Sequence, residues 1–294
     1  MSLLHALMIG DVVGEPGLKA LESLLPGLIG ENAADFVVVN GENAAEGFGM
    51  TRAALDRILA AGADVVTSGN HVWEKRDFLP VLAEEKRVLR PGNYPAAAPG
   101  RGWVRMEKTR RPEEPPVSWL VVNLQGREYM TPIDCPFRCF DAVMNTRAAA
   151  PNMTHPMFTP EGDLPESLKK PGDIILVDFH AESTREKEAL AYYLDGRASL
   201  VAGTHTHVQT ADERILPQGT AYITDLGMTG AADGSVIGME PKICLNRARN
   251  QVLYRMECAG GDGCGTVVQG VLAEIDGNTG KALSVRRIAT NRPC

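Results

Sequence analysis

No apolar run in the chain approaches the roughly 20 residues that a membrane-spanning helix needs, so no segment is expected to cross a bilayer. The leading MSLLHALMIGDVVG is apolar but short. Without a basic start or a small-residue cleavage site it reads as a first strand, not a signal peptide. Positive charge is not in excess either. The net charge is −7 and the arginines are scattered, which argues against a broad nucleic-acid surface, since that rests on a basic stripe. The six cysteines include no CxxC pair, so neither a thiolate metal cage nor a disulfide framework is indicated. Reduced thiols in the cytoplasm are the simplest reading. GDVVGEPG is rich in glycine yet lacks the Lys-Ser/Thr of a P-loop and the GxGxxG order. Its glycines are read as a sharp turn beside Asp11.

What the chain does contain is alternation of strand and helix signals. Buried-strand runs are read at 4–10, 35–40, 64–69, 118–124 and 173–181, with SLVAG and AYITD adding two more. A helix is expected after Pro16, and another in TRAALDRILAA, capped by Thr51 and ended by Gly62. Ser183 and Glu186 form a capping box ahead of TREKEALAYYL. The βαβαβ order predicts parallel strands covered by helices, and the C-terminal segment predicts a hairpin around DGNTG. Residues 90–116 read as loop. Residues 145–172, with five prolines, read as an irregular excursion within one domain spanning 1–294.

Polar side chains accumulate where these strands end: Asp11, then Glu42 and Asn43, then Asn70 and His71, then His180, then His205 and His207 of AGTHTH. In open α/β sheets the carboxyl ends of strands are where ligands collect. Each element alone is weak, since a single strand-end histidine is more often structural. The HxH pair says more, because alternate residues of an extended segment face one way. His5 and His155 are assigned no function. Asp178 is read either as a residue orienting His180 or as a solvated strand end, and Asp225 carries the same ambiguity. Trp73 is read as core rather than as a base-stacking wall.

The order Asp, Glu-Asn, Gly-Asn-His, His, Gly-x-His-x-His resembles that of the calcineurin-like metallophosphoesterases. GDVVGEPG, VVNGENAAEGFG, SGNHVWEK, RPGNYP, VDFHAESTREKEAL and VAGTHTHVQTADERILPQGTAYITDLGMTG are similar, over nearly the whole chain, to the YmdB-type family of cyclic-nucleotide phosphodiesterases. The resemblance implies a sandwich of two facing mixed β-sheets flanked by helices. It also implies two divalent transition-metal ions, Fe or Mn first and Zn or Ni next. Glu42 would bridge them, with Asp11, Asn43 and His207 on one ion and Asn70, His180 and His205 on the other. Imidazole, carboxylate and amide donors without thiolate suit such ions. Two divalent ions against the charges of Asp11 and Glu42 leave a surplus of about +2, which lets an acidic protein attract a small anionic phosphodiester. A metal-bridging hydroxide would attack phosphorus, and His71, following a ligand without being one, would be the general acid. The implied activity is hydrolysis of 2′,3′-cyclic nucleoside monophosphates. A phosphomonoesterase, a nuclease, or a regulatory protein with a structural metal site are the alternatives, and a homo-oligomer is left open.

Overall fold

The computed structural model describes residues 3–292 apart from 110–112, 114–115, 147–171 and 261–264. In chain order the elements are β1 (Leu3–Ile9), β2 (Asp11–Val12), α1 (Gly14–Glu31), β3 (Phe36–Asn40), α2 (Arg52–Ala60), β4 (Val65–Thr67), α3 (Leu79–Glu84), β5 (Trp103–Lys108) and β6 (Val117–Gln125). They continue with α4 (Pro136–Thr146), β7 (Ile174–His180), α5 (Thr184–Tyr193), β8 (Leu200–Thr204), β9 (Arg214–Ile215), β10 (Ala221–Ile223), β11 (Met228–Ala231), α6 (Pro241–Asn250), β12 (Thr266–Asp276) and β13 (Ala282–Arg292).

Two mixed sheets face each other. One runs β2-β11-β12-β1-β3-β4, with β13 also paired to β12; the other runs β5-β6-β7-β8-β10-β9. Strands β1, β3 and β4 are parallel, as are β6, β7, β8 and β10. The antiparallel members are β12, β13, β5 and β9. Alternation within the parallel strands puts one set of apolar residues between the sheets and the other under helices. Leu4, Met8, Phe36, Val38, Trp119, Leu176 and Leu200 fill the space between the sheets. Phe36 and Trp119 stack across it with ring centroids 4.7 Å apart. Leu7, Ile9, Val37 and Val39 face the opposite way and pack with Leu21, Leu25 and Ile58 of α1 and α2. Val122, Val177 and Val201 do the same against Phe140 of α4 and Leu190 of α5. The result is a helix–sheet–sheet–helix sandwich.

The helix signals hold in detail, with one difference. Thr51 accepts from the Ala54 N–H at 3.2 Å, and Gly62 lies beyond α2 at φ +117. Ser183 likewise accepts from the Glu186 N–H at 3.3 Å. The Glu186 carboxylate, however, turns away from the cap and takes the Arg127 and Glu128 N–H groups at 2.9–3.0 Å. Half of the expected capping box is therefore spent on fixing the chain after β6. The segment 90–116 is also not all loop. Pairing of Trp103–Lys108 with the far edge of β6 makes it a strand, a long-range contact that its Pro- and Gly-rich surroundings hide. The 145–172 excursion and His155 lie largely or wholly outside the described residues.

Gly203 in β8 is demanded by close approach. A Cβ there would lie 1.8 Å from the Thr224 carbonyl oxygen and 2.9 Å from Cδ of Lys187. Backbone cannot give way as a flexible side chain can. Gly203→Ala is expected to cost at least about 1–3 kcal/mol, the usual penalty of overpacking. Urea denaturation checks this; an unchanged midpoint would show that the two strand ends are loosely packed.

Candidate metal centre

The parallel strands β3 and β4 of one sheet and β7 and β8 of the other end at the same edge. Asn40, Thr67 and Thr204 are the last residues of β3, β4 and β8. All three converge on one buried carboxylate, Asp178, two residues before the end of β7. Asn40 Nδ2 donates to Asp178 Oδ2 at 2.9 Å, Thr67 Oγ1 donates to the same oxygen, and Thr204 Oγ1 donates to Asp178 Oδ1 at 2.7 Å. Burial pushes the Asp178 carboxyl up to about 7, and the hydrogen bonds from Thr67, Thr204 and Asn40 work against that rise. Asp178 is therefore not a solvated strand end. It reaches His180 through Thr204: with its own proton given to Asp178, the Thr204 oxygen accepts from His180 Nδ1–H at 3.0 Å. That fixes the tautomer and leaves the Nε2 lone pair pointing away from the core.

Around His180 Nε2 lie Glu42 Oε2 at 2.5 Å, Asn70 Oδ1 at 3.2 Å and His205 Nδ1 at 3.0 Å. Burial pushes His180 down to about 4 and His205 down to about 3, the latter with help from His180, so both rings are neutral at pH 7. Glu42 Oε2 is buried and has no hydrogen-bond partner. Electron-rich atoms crowding one another in a dry site repel, unless a cation lies among them. One ligand atom each from Glu42, His180 and His205 lie within 4.8 Å of one another. The donors thus fit a divalent ion by their chemistry and by the orphaned carboxylate oxygen.

A second group adjoins the first. His207 Nδ1–H donates to the Ile237 carbonyl at 2.9 Å, which turns its Nε2 inward. Nε2 faces Asn43 Nδ2 at 3.1 Å and Asp11 Oδ1 at 3.8 Å. Asn43 Nδ2 also donates to Asp11 Oδ1 at 3.4 Å, so here the amide offers its nitrogen; rotation about its last bond would exchange nitrogen for oxygen. Asp11 is buried, which raises its carboxyl pKa, and its Oδ1 lies 4.0 Å from His180 Nδ1. All seven residues expected at a metal site are therefore gathered in two adjoining groups. His71 stands apart from them. Its backbone N–H donates to Glu42 Oε1 at 2.5 Å, while its partly exposed ring packs edge-on to Phe48 and lies 3.4 Å from Glu74 Oε1.

The HxH pair does not work as an extended segment. β8 ends at Thr204, and His205 and His207 have φ of +102 and +63. Reversal of the backbone sends His205 to the first group and His207 to the second. Such conformations are costly for non-glycine residues and persist only when held. The hold is Asp225, whose Oδ2 accepts from Thr206 N at 3.2 Å and Thr206 Oγ1 at 2.8 Å. Lys187 of α5 closes the arrangement, with Nζ 2.7 Å from Asp225 Oδ2 and both side chains 1% exposed. Nothing in the local sequence marks Lys187, which sits in a polar-looking helix. The signal for Asn40, Thr67 and Thr204 was present: each is the polar residue that closes an apolar run. His5 lies on β1, near Glu274 at 3.8 Å and outside these groups. Trp73 packs against the core under α1 and α2, with its ring edge-on to Tyr94.

Two facing mixed sheets with these side chains gathered at one shared edge define a metallophosphoesterase-type fold. The chain belongs to the YmdB-like family, whose model matches residues 7–288. It is 39% identical to the 2′,3′-cyclic-nucleotide 2′-phosphodiesterase of Bacillus subtilis, over 98% of this chain and 97% of that protein. A putative phosphatase/phosphodiesterase of Mycoplasma pneumoniae is 32% identical over 98% of this chain and 93% of that one. Among solved structures, a novel phosphatase from Mycoplasma pneumoniae superimposes with a TM-score of 0.84 at 30% identity, covering 100% of this chain and 95% of that one. A hypothetical protein from Thermus thermophilus gives 0.83 at 36%, covering 99% and 100%. The chain is accordingly an enzyme of the phosphoesterase class.

Lys187→Met would leave Asp225 buried without its cation, a loss of about 3–5 kcal/mol. The slackened turn should also weaken cobalt(II) binding by roughly 10–100-fold, as loss of an outer support does. Adding Asp225→Asn should restore part of the stability, because an amide needs no counter-charge. Thermal melts with cobalt titration monitored by absorbance check this. Cobalt affinity unchanged in a folded Lys187→Met would remove the clamp from the account of the site.

Proposed function

We propose that the whole chain acts as a single catalytic domain that hydrolyses 2′,3′-cyclic nucleoside monophosphates with two divalent transition-metal ions, Fe or Mn in first place. The observation that carries this reading is the unpartnered Glu42 oxygen facing neutral imidazole and amide donors in a buried site. Glu42 would be shared by both ions, with Asp11, Asn43 and His207 on one side and Asn70, His180 and His205 on the other. When bound, the ions would supply Lewis acidity and neutralise charge on the phosphate. The amides matter for charge: aspartates at Asn43 and Asn70 would cancel the positive surplus that draws in an anion. The name of the Bacillus subtilis relative supports the substrate class. Free cysteines at 135, 139, 244 and 258 agree with a reducing, cytoplasmic setting.

In that reaction water adds to phosphorus, the P–O2′ bond breaks, and the 2′-oxygen leaves with a proton to give the 3′-phosphate. His71 would donate that proton. Its main chain is pinned to Glu42, while its ring stays outside both donor groups and partly open to solvent. A carboxylate at Nδ1, from Glu74, accepts from Nδ1–H and aligns the ring, so that the doubly protonated imidazole would deliver its proton from Nε2.

His71→Ala should keep the metal content and the fold while lowering kcat on a cyclic nucleotide roughly 10²–10⁴-fold. The loss should shrink on a nitrophenyl phosphodiester, whose leaving group needs no proton. Equal losses on the two substrates would assign His71 to phosphate positioning instead. Glu42→Ala should empty both metal positions together in metal analysis of the purified protein. Two ions retained per chain would refute sharing by Glu42. A panel of cyclic, linear and monoester substrates tests the substrate class: a clear preference for linear diesters or monoesters would favour the nuclease or phosphomonoesterase reading.

A further inference from the structure

The segment from Glu240 to Glu257 differs from the rest of the molecule. It contains Lys242, Arg247, Arg249 and Arg255 against Glu240 and Glu257, a net of +2 in a chain of net −7, so the remainder carries −9. All four cations are exposed, and none makes an ion pair with a described residue. Many cationic side chains elsewhere among the described residues are paired, as Arg57 is with Glu15 and Glu22, Lys75 with Glu46 and Arg214 with Glu188. The helix of this segment, α6, buries none of its residues. Leu253 is 82% exposed and Tyr254 37% exposed, the latter beside Arg255. An arm with free cations and an exposed aromatic ring is the composition that tracks a single-stranded nucleic acid. Averaged over the whole acidic chain, that local character disappears.

The arm is joined to the candidate metal centre at its base. Ile237, just before it, gives its carbonyl to His207 Nδ1 at 2.9 Å. Met239 and Met256 pack in one apolar cluster with Phe48, whose ring meets His71 at 4.9 Å. Between the arm and the loop after β3 runs a groove of about 920 Å³, lined by Ala44, Phe48, Glu74, Lys75, Arg255 and Met256 among others. Ala44 follows Asn43, and Glu74 Oε1 lies 3.4 Å from His71 Nδ1, so the groove abuts residues that neighbour the donor groups. Its volume is at the upper end of the roughly 300–1,000 Å³ of small-ligand sites, more than one nucleotide requires. Of the four acids that line it, Glu15 is engaged by Arg57 at 2.7 Å and Glu46 by Lys75 at 3.0 Å, Glu74 lies 3.4 Å from His71 Nδ1, and Glu257 remains beside Arg255, which has no ion-pair partner among the described residues.

We propose that this arm and groove dock the strand upstream of the reacting phosphate, so that the substrate is a short RNA ending in a 2′,3′-cyclic phosphate. The inference rests on the cyclic-phosphodiester reading above and extends it from a mononucleotide to a chain end. The chemistry is unchanged: water joins phosphorus, the P–O2′ bond breaks, and the strand leaves with a 3′-phosphate. A few upstream phosphates would meet Arg255, Arg249 and Arg247, with Tyr254 offering a face for one base.

The test compares kcat/KM on a cyclic mononucleotide with that on a five-nucleotide RNA bearing a 2′,3′-cyclic phosphate, using the metal-loaded full chain. The oligonucleotide should be favoured at least about tenfold at low salt. Its advantage should fall as salt rises, with a log–log slope of about −0.7 for each phosphate contacted. In the triple variant Arg247→Gln/Arg249→Gln/Arg255→Gln the ratio of the two values should drop about tenfold. Equal kcat/KM on both substrates, a salt-independent ratio, or a ratio unchanged in the triple variant overturns the inference and leaves the mononucleotide reading standing. Failure to turn over either substrate overturns both. Sedimentation of Leu253→Asp supplies an independent arm: if this change splits a dimer present in the parent protein, the surface belongs to a second copy and the inference is overturned.

Discussion

Everything at the reactive edge depends on one buried carboxylate. Asp178 is donated hydrogen bonds from the terminal residues of β3, β4 and β8, so it ties the ends of two separate sheets to a single point. An anion in an apolar interior is costly unless its oxygens are fully used, and here three donors use them. The same contacts set the direction of each strand end and, through Thr204, the tautomer of His180. Without that polar layer the apolar core between the sheets would still form, but nothing would fix where its ends point. Core packing supplies the free energy, and Asp178 supplies the register of the site.

A second constraint acts from the side of the helices. The His205–His207 turn adopts left-handed backbone that two histidines would not choose. It is bent so that neighbouring imidazoles can serve different groups, and Asp225 with Lys187 keeps it bent. The requirement reaches back into sequence: Gly203 is needed because the strand before the turn passes against Thr224 and Lys187. The site is thus braced twice, by Asp178 beneath His180 and by the Lys187–Asp225 pair behind the two later histidines. Both braces are buried polar groups with several hydrogen-bond partners each, while Glu42 at the donor groups is left with one unsatisfied oxygen.

Much of this was legible beforehand. Apolar runs at 35–40, 64–69 and SLVAG located β3, β4 and β8 to within two residues, and Thr51 and Gly62 located both ends of α2. Asp11, Glu42, Asn43, Asn70, His180, His205 and His207 stood out because they follow strand ends, where ligands collect, in an order that resembles the metallophosphoesterases. Residues whose roles depend on long-range contact were not legible. Lys187 looks like any surface lysine of a helix, and β5 looks like loop until it meets the free edge of β6. Glu186 was read as a cap, because no local rule says that a chain segment from β6 will compete for its carboxylate.

The sequence by itself determined the inventory: which residue types end each strand, which faces are apolar, and that a small anion rather than a long polymer suits so acidic a chain. It could do so because periodicity and capping are local properties, set within a few residues. Tertiary structure decided the assignment of that inventory. It bent the backbone at His205 and His207 into the left-handed turn that separates them, braced that turn with Asp225 and Lys187, and set a cationic arm beside the groove. Those outcomes follow from the meeting of two sheets and from buried charge pairs formed between residues far apart in the chain, and no local pattern encodes them.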